Sequence, residues 1–244
     1  MGVARESRVI PSMRQVEGFR VAAECRPAEE VAGDFYIVTA HAPGRVAVVI
    51  GDACGRGRLG AALLPDVLPR LRQLARAGVR PGRLLTELNR TVARAIPEDR
   101  FITAAALVLD SRVCTLTVAN AGHVPVLIRS ARSNVRIVGC ASGPPLGVVA
   151  NAAYFEDCVP FRMGDVAVLM TDGVLETVET ELTSMRTLKR LLASAPDGAD
   201  GIHRWLLTAL DRRFRSDRPD DVTLLCVEAR EPYFEVLSNL KWAG

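Results

Sequence analysis

The chain is poor in lysine, in aromatic side chains, in paired cysteines and in long apolar runs, and each shortage excludes something. Lysine occurs twice, at Lys189 and Lys241, so the 31 basic residues are almost all arginine, set against 28 acidic ones. A net charge of +3 gives no electrostatic case for nucleic acid or for a membrane surface as partner. Aromatics make up only 5% of a chain that is 49% hydrophobic, so its core must be built from Val, Leu, Ala and Ile. The six cysteines (Cys25, Cys54, Cys114, Cys140, Cys158, Cys226) stand singly, with no CxxC and no paired spacing. A disulfide framework or a zinc site is not expected, and a reducing cytoplasm suits them. No apolar run approaches the ~18 residues of a membrane-spanning helix, and MGVARESRVIPSM has no signal-peptide core. The expectation is a soluble cytoplasmic protein whose 244 residues form one domain, with a core from about 16 to 228 and a short C-terminal tail.

What the chain does have is a set of carboxylates placed where apolar runs end. Asp34 lies in VAGDFY, Asp52 in VAVVIGDACGRG, Asp172 in VAVLMTDGV, and Asp220–Asp221 open DDVTLLCV. The runs Val46–Ile50, Val166–Met170 and Val222–Val227 read as buried strands. A carboxylate at the end of such a strand has lost most of its water and needs a positive charge. No lysine or arginine stands beside Asp52 or Asp172 on the buried side of its run. Hard divalent cations such as Mg²⁺ or Mn²⁺ suit all-oxygen carboxylate clusters.

Further strands are expected over Gly18–Glu24, Phe35–Ala40, Phe101–Asp110, Cys114–Asn120, Val124–Arg129, Val135–Gly139 and Ala153–Val159. Ala61–Ala77 has helical period, although Pro65 and Pro69 call for a break or a late start. Pro81 opens a helix to about Ala95 with Leu84, Leu85, Leu88 and Val92 on one face. Two more helices, roughly Glu181–Ala195 and Ala199–Arg215, precede the last strand. Strands and helix pairs in this order do not alternate as βαβ units do. They suit an α+β fold, antiparallel sheets packed on each other with helix pairs outside. The amphipathic tail EPYFEVLSNLKWAG is read as docking on the body.

The ordered series VAGDFY, GDACGRG, FITAAA, NAGHVPVL, GPPLGV, MTDGVLE and DDVTLL resembles the SpoIIE/RsbU branch of the PPM-type metal-dependent protein phosphatases. That branch shows GGDFYD, GDVSGHG, a Phe-Val-Thr segment, NAGHPP, PLG, TDGxxE and DDxT in the same order. The resemblance implies a four-layer αββα sandwich with two metal ions, Mn²⁺ or Mg²⁺, at the sheet edges. It makes Asp52 the bridging ligand, Ala53 a ligand through its carbonyl, Asp34 a ligand of the second ion and Asp172 a ligand of the first. In the last motif Asp220 matches the ligand and Asp221 an orienting residue, with Asp221 kept open as the ligand because a one-residue slip crosses the strand. His123, Gly143–Gly147 and Glu176 take supporting roles. The chain departs from the family pattern at Ala32, Ile37 and Arg56, where glycine, aspartate and histidine are usual.

A rival nucleophile is missing. Cys54 is followed by GRGRLG, too short for a tyrosine-phosphatase loop, and no GxSxG elbow occurs. The activity implied is hydrolysis of phosphoserine or phosphothreonine by a metal-activated water, with a phosphorylated STAS-type anti-sigma-factor antagonist as the expected substrate and room for a homodimer. The alternative is a scaffold of the same fold that binds such a regulator without hydrolysing it.

Overall fold

The computed structural model describes residues 14–55, 57–97, 99–140, 142–178, 185–213 and 220–230. The elements in chain order are β1 (Arg14–Val16), β2 (Phe19–Arg26), β3 (Asp34–Ala42), β4 (Arg45–Ala53), α1 (Arg58–Ala61), α2 (Leu64–Arg76) and α3 (Pro81–Ala95). Then come β5 (Ile102–Asp110), β6 (Thr115–Ala121), β7 (Val126–Arg129), β8 (Val135–Val138), β9 (Asp157–Pro160) and β10 (Val166–Met170). The chain continues through α4 (Asp172–Val178), α5 (Met185–Ser194) and α6 (Gly198–Arg213) to β11 (Val222–Ala229).

Two antiparallel sheets result, one ordered β1-β2-β11-β10-β7-β8 and the other β3-β4-β5-β6-β9. The continuous apolar runs are explained by burial on both faces. On β4, Val46, Val48 and Ile50 pack between the sheets, while Ala47, Val49 and Ala53 pack under α2 and α3. On β11, Leu225 and Val227 face the other sheet, while Val222, Leu224 and Cys226 lie under α5 and α6. The layers therefore run helix pair, sheet, sheet, helix pair, as the α+β reading expects.

Three differences from that reading, and one expected break, have local causes. The expected strand Ala153–Val159 shrinks to Asp157–Pro160. Tyr154 is instead drawn into the helix-side core, where its hydroxyl donates to Pro144 O at 2.9 Å. The predicted break in Ala61–Ala77 falls between α1 and α2; Pro65 sits in the first turn of α2, where no N–H is required, and Pro69 is accommodated inside it. A short helix, α4, begins at Asp172, where the sequence suggests no helix. The three-residue β1, added at the sheet edge beside β2, was not expected. Residues 181–184, 214–215, Arg56 and the tail 231–244 lie outside the described residues, so the readings made there do too.

Candidate metal centre

Strand parity brings the acids together. Tyr36 and Val38 of β3 face the inter-sheet core, and Asp34 shares their side. Asp52 shares the side of Val46, Val48 and Ile50 on β4. The two are direct partners across the β3–β4 ladder, so like charges stand opposite each other at the open end of the core. Ile37 has the other parity and packs with the cluster under α2 and α3. The aspartate usual at its position is thus missing from the helix side, not from the face that carries Asp34 and Asp52.

The second sheet contributes from opposite. Thr171, just past β10, donates its hydroxyl to Asp34 Oδ2 at 2.8 Å and accepts the N–H of Thr223 at 2.9 Å. Asp172 opens α4, and its Oδ1 accepts the Gly173 N–H at 3.0 Å. Asp220 Oδ1 accepts the N–H of Asp221 at 2.9 Å. Asp221 is spent on the backbone of the loop before β3: one oxygen accepts the Ala28 N–H at 2.7 Å and the other the Gly33 N–H at 2.8 Å. The Ala53 carbonyl is approached by two glycines, since a Cβ on Gly33 or Gly60 would lie 2.8 or 2.7 Å from its oxygen.

The carboxylates feel one another. Burial, reinforced by the facing Asp52, pushes Asp34 up to about 8. Burial pushes Asp52 up to about 7, with the charges of Asp172, Asp220 and Asp221 adding to it. Asp172 is raised by burial and then by Asp220. Among the described residues none of Asp34, Asp52, Asp172 and Asp220 has an ion-pair partner within 4.0 Å. Nor do three acidic, histidine or cysteine side chains there meet around a single point at metal-ligand distance. The donors are thus all oxygen, uncompensated and mutually repelling. That chemistry fits a hard divalent ion, around which the side chains would still have to close.

Two of the supporting motifs also find their places, and the Glu176 side chain lies outside what is described. Asn120 closes the NAGH turn, accepting the His123 N–H at 2.7 Å and donating to His123 O and Gly139 O at 3.0 and 2.8 Å. His123 Nδ1 meets Thr103 Oγ1 at 2.8 Å, and Thr103 is the β5 partner of Asp52; burial lowers the imidazole to about 4, so it is neutral. In GPPLG, Leu146 bridges to Ile102 and the Gly147 N–H donates to Asn89 Oδ1 at 2.8 Å, tying that loop to β5 and α3. Ala32 is buried without a positive φ, so the missing glycine costs no strain. Thr171 and Thr223 were missed as site residues, although they are the threonines of TDG and DDVT and motif position pointed to them.

Two face-packed antiparallel sheets, helix pairs outside and acids at the ends of central strands define the PP2C-type, or PPM-type, phosphatase fold. Within it the chain belongs to the SpoIIE family, on the SpoIIE/RsbU branch: residues 42–230 match the family model described as Stage II sporulation protein E (SpoIIE). It is similar to the phosphoserine phosphatase RsbU of Bacillus subtilis (strain 168), 26% identical over 222 residues that cover 88% of this chain and 65% of that protein. The crystal structure of the RsbU and RsbW domains of a Mycobacterium tuberculosis protein superposes with a TM-score of 0.77 at 28% identity, covering 89% of this chain and 63% of that one. The PP2C phosphatase domain of SpoIIE from Bacillus subtilis, solved with a fragment of its regulatory domain, gives 0.74 at 18% identity, covering 88% and 65%. The chain thus spans just under two thirds of the length of each. No helix among the described residues is long and apolar enough to cross a membrane.

Proposed function

We propose that this chain is a divalent-metal-dependent protein serine/threonine phosphatase acting on a phosphorylated regulator of the STAS anti-sigma-factor antagonist type. One observation carries the reading: Asp34 and Asp52 face each other on the inter-sheet side of β3 and β4 with no ion-pair partner among the described residues. Asp52, the Ala53 carbonyl, Asp34, Asp172 and Asp220 would hold two ions, Mn²⁺ or Mg²⁺. Such a pair of ions supplies a nucleophilic water of lowered pKa and neutralises the phosphoryl charge. The protein's own share is placement. Thr171 fixes the rotamer of Asp34, and Asp221 holds the 28–33 loop against β11, so we assign Asp221 to positioning and Asp220 to the ligand set. The RsbU likeness and the presence of RsbU and RsbW domains in one structural relative support a partner in sigma-factor control, and with it a cytoplasmic location.

Phosphate release from a phosphoserine peptide tests the assignment. Activity should require Mn²⁺ or Mg²⁺, stop with chelator, and fall by at least a hundredfold in Asp52→Asn. Turnover that persists without metal or in that variant contradicts it. The scaffold reading is favoured by one fact, that no three ligand side chains yet converge among the described residues. Metal titration separates the two, because a scaffold would not bind the ions.

A further inference from the structure

The acid cluster explains how cations would be held, but a phosphate dianion approaching it also needs recognition from the protein side. Among the described residues other arginines at this end are already engaged, Arg26 with Glu24 and Asp211 and Arg58 with Glu30. Arg100 differs. Its guanidinium lies over the loop that follows Asp52 and Ala53, with Nη1 3.5 Å from Cys54 O and Nε 3.8 Å from Asp99, both at the outer limit of a contact. A Cβ on Gly55, whose φ is +104°, would sit 2.7 Å from that Nη1, so a side chain there would displace the guanidinium.

The surroundings of Arg100 are apolar and exposed. The same point on Gly55 lies 3.2 Å from Leu59 Cβ. Phe101 exchanges backbone contacts with Cys54, its carbonyl accepting the Cys54 N–H at 3.0 Å. The Ile102–Leu146 bridge brings the turn at Gly147 against Arg100, where a Cβ on Gly147 would lie 3.4 Å from Arg100 O, and Val148 is the next residue of that turn. Leu59, Phe101 and Val148 are 61%, 38% and 54% exposed, large apolar side chains left to water around a single loop. A loosely held fork of N–H donors inside an apolar rim has the chemistry to take a phosphorylated side chain together with its neighbours.

We infer that Arg100 binds the phosphate of the substrate and that Leu59, Phe101 and Val148 seat apolar residues flanking the phosphorylated serine or threonine. The inference rests on the phosphatase reading and narrows its substrate class to phosphoproteins with an apolar segment next to the modified residue. Charge complementarity and the place of Arg100 over the loop that directly follows Asp52 and Ala53 select this occupant over a second copy of the chain.

The experiment compares wild type, Arg100→Ala, Arg100→Lys and Phe101→Ala. Each is loaded with Mg²⁺ and measured for binding of inorganic phosphate by calorimetry, for KM and kcat on a phosphoserine peptide with leucine at the flanking positions, and for Mg²⁺ affinity. Arg100→Ala should weaken phosphate binding and raise KM tenfold or more, with a smaller fall in kcat and unchanged Mg²⁺ affinity, and Arg100→Lys should recover part of the loss. Phe101→Ala should raise the peptide KM by at least five times the factor by which it weakens phosphate. Wild type that turns over while Arg100→Ala keeps its KM and phosphate affinity overturns the inference alone. A parallel loss of Mg²⁺ affinity overturns it as well, since Arg100 would then be a prop of the metal loop. If wild type binds Mg²⁺ yet neither hydrolyses peptide nor binds phosphate, the inference and the phosphatase reading both fall; hydrolysis failing while Arg100-dependent phosphate binding persists sinks only the latter.

Discussion

Asp34 and Asp52 set two buried carboxyl groups opposite each other across one antiparallel pair, and their burial governs the pH behaviour of the metal-free protein. Burial raises the folded-state pKa of Asp34 to about 8 from an unfolded value near 3.8. The folded protein then binds this proton more tightly than the unfolded chain. Its stabilising effect is complete below about pH 4 and is lost as pH rises through 8. Metal-free protein should therefore melt at falling temperature from pH 5 to pH 8.5. Asp34→Asn should flatten that slope and gain about 2 kcal/mol or more at pH 8.5, while abolishing activity. Thermal melts of both proteins in chelator across this range check it, and an unchanged slope would show that Asp34 is not protonated in the fold. Asp221 behaves differently because both of its oxygens already accept backbone N–H groups. Asp221→Ala should cost roughly 2–4 kcal/mol by leaving the Ala28 and Gly33 donors without partners, and Asp221→Asn less, as chemical denaturation would report.

At the scale of elements, the legible parts were those whose residues repeat a single pattern. The two-faced strands β4, β10 and β11 showed as unbroken apolar runs, and α3 showed as Pro81 followed by Leu84, Leu85, Leu88 and Val92. The acids at their ends were legible for the same reason, since a carboxylate closing a buried run is conspicuous. What sequence concealed were features decided by tertiary contact. Tyr154 leaves its expected strand for the core under α3, and α4 starts on an Asp-Gly pair that locally reads as a turn. Backbone contact explains that start: a Cβ on Gly173 would collide with the carbonyl oxygen of Asp221, so glycine lets α4 press against the start of β11. Gly173→Ala should push Asp172 away from Asp220. The expected outcome is a loss of at least ~2 kcal/mol in stability and tenfold or more in Mn²⁺ affinity, read from melts and metal titration. The carboxylates themselves would remain, so a variant that binds Mn²⁺ normally would show that their relative placement is not set by this contact.

Across the whole molecule the candidate ligands divide between the two sheets. Asp34, Asp52 and Ala53 come from the five-stranded sheet, whereas Asp172 and Asp220 flank β10 and β11 of the six-stranded one. Among the described residues the Thr171–Asp34 hydrogen bond is a polar link between the sheets at this end. Elsewhere apolar contact between their inner faces holds the sandwich together. Ions bound between the two sets of acids would relieve their repulsion and join the sheets in one step. Metal should therefore act on global stability and not only on turnover. At a free concentration 100 times Kd, one site adds about 2.7 kcal/mol, and for a domain of this size each kcal/mol moves Tm by roughly 2–4 °C. Saturating Mn²⁺ or Mg²⁺ should raise Tm by roughly 5–10 °C, the rise growing with pH between 6 and 8 as Asp52 and Asp34 lose the protons that compete with the ions. Asp52→Asn should remove most of that rise while melting at or above the wild-type temperature in chelator, because it deletes one of the repelling charges. Scanning calorimetry with and without metal distinguishes the outcomes, and a rise that survives Asp52→Asn would move the ions away from the end of β4.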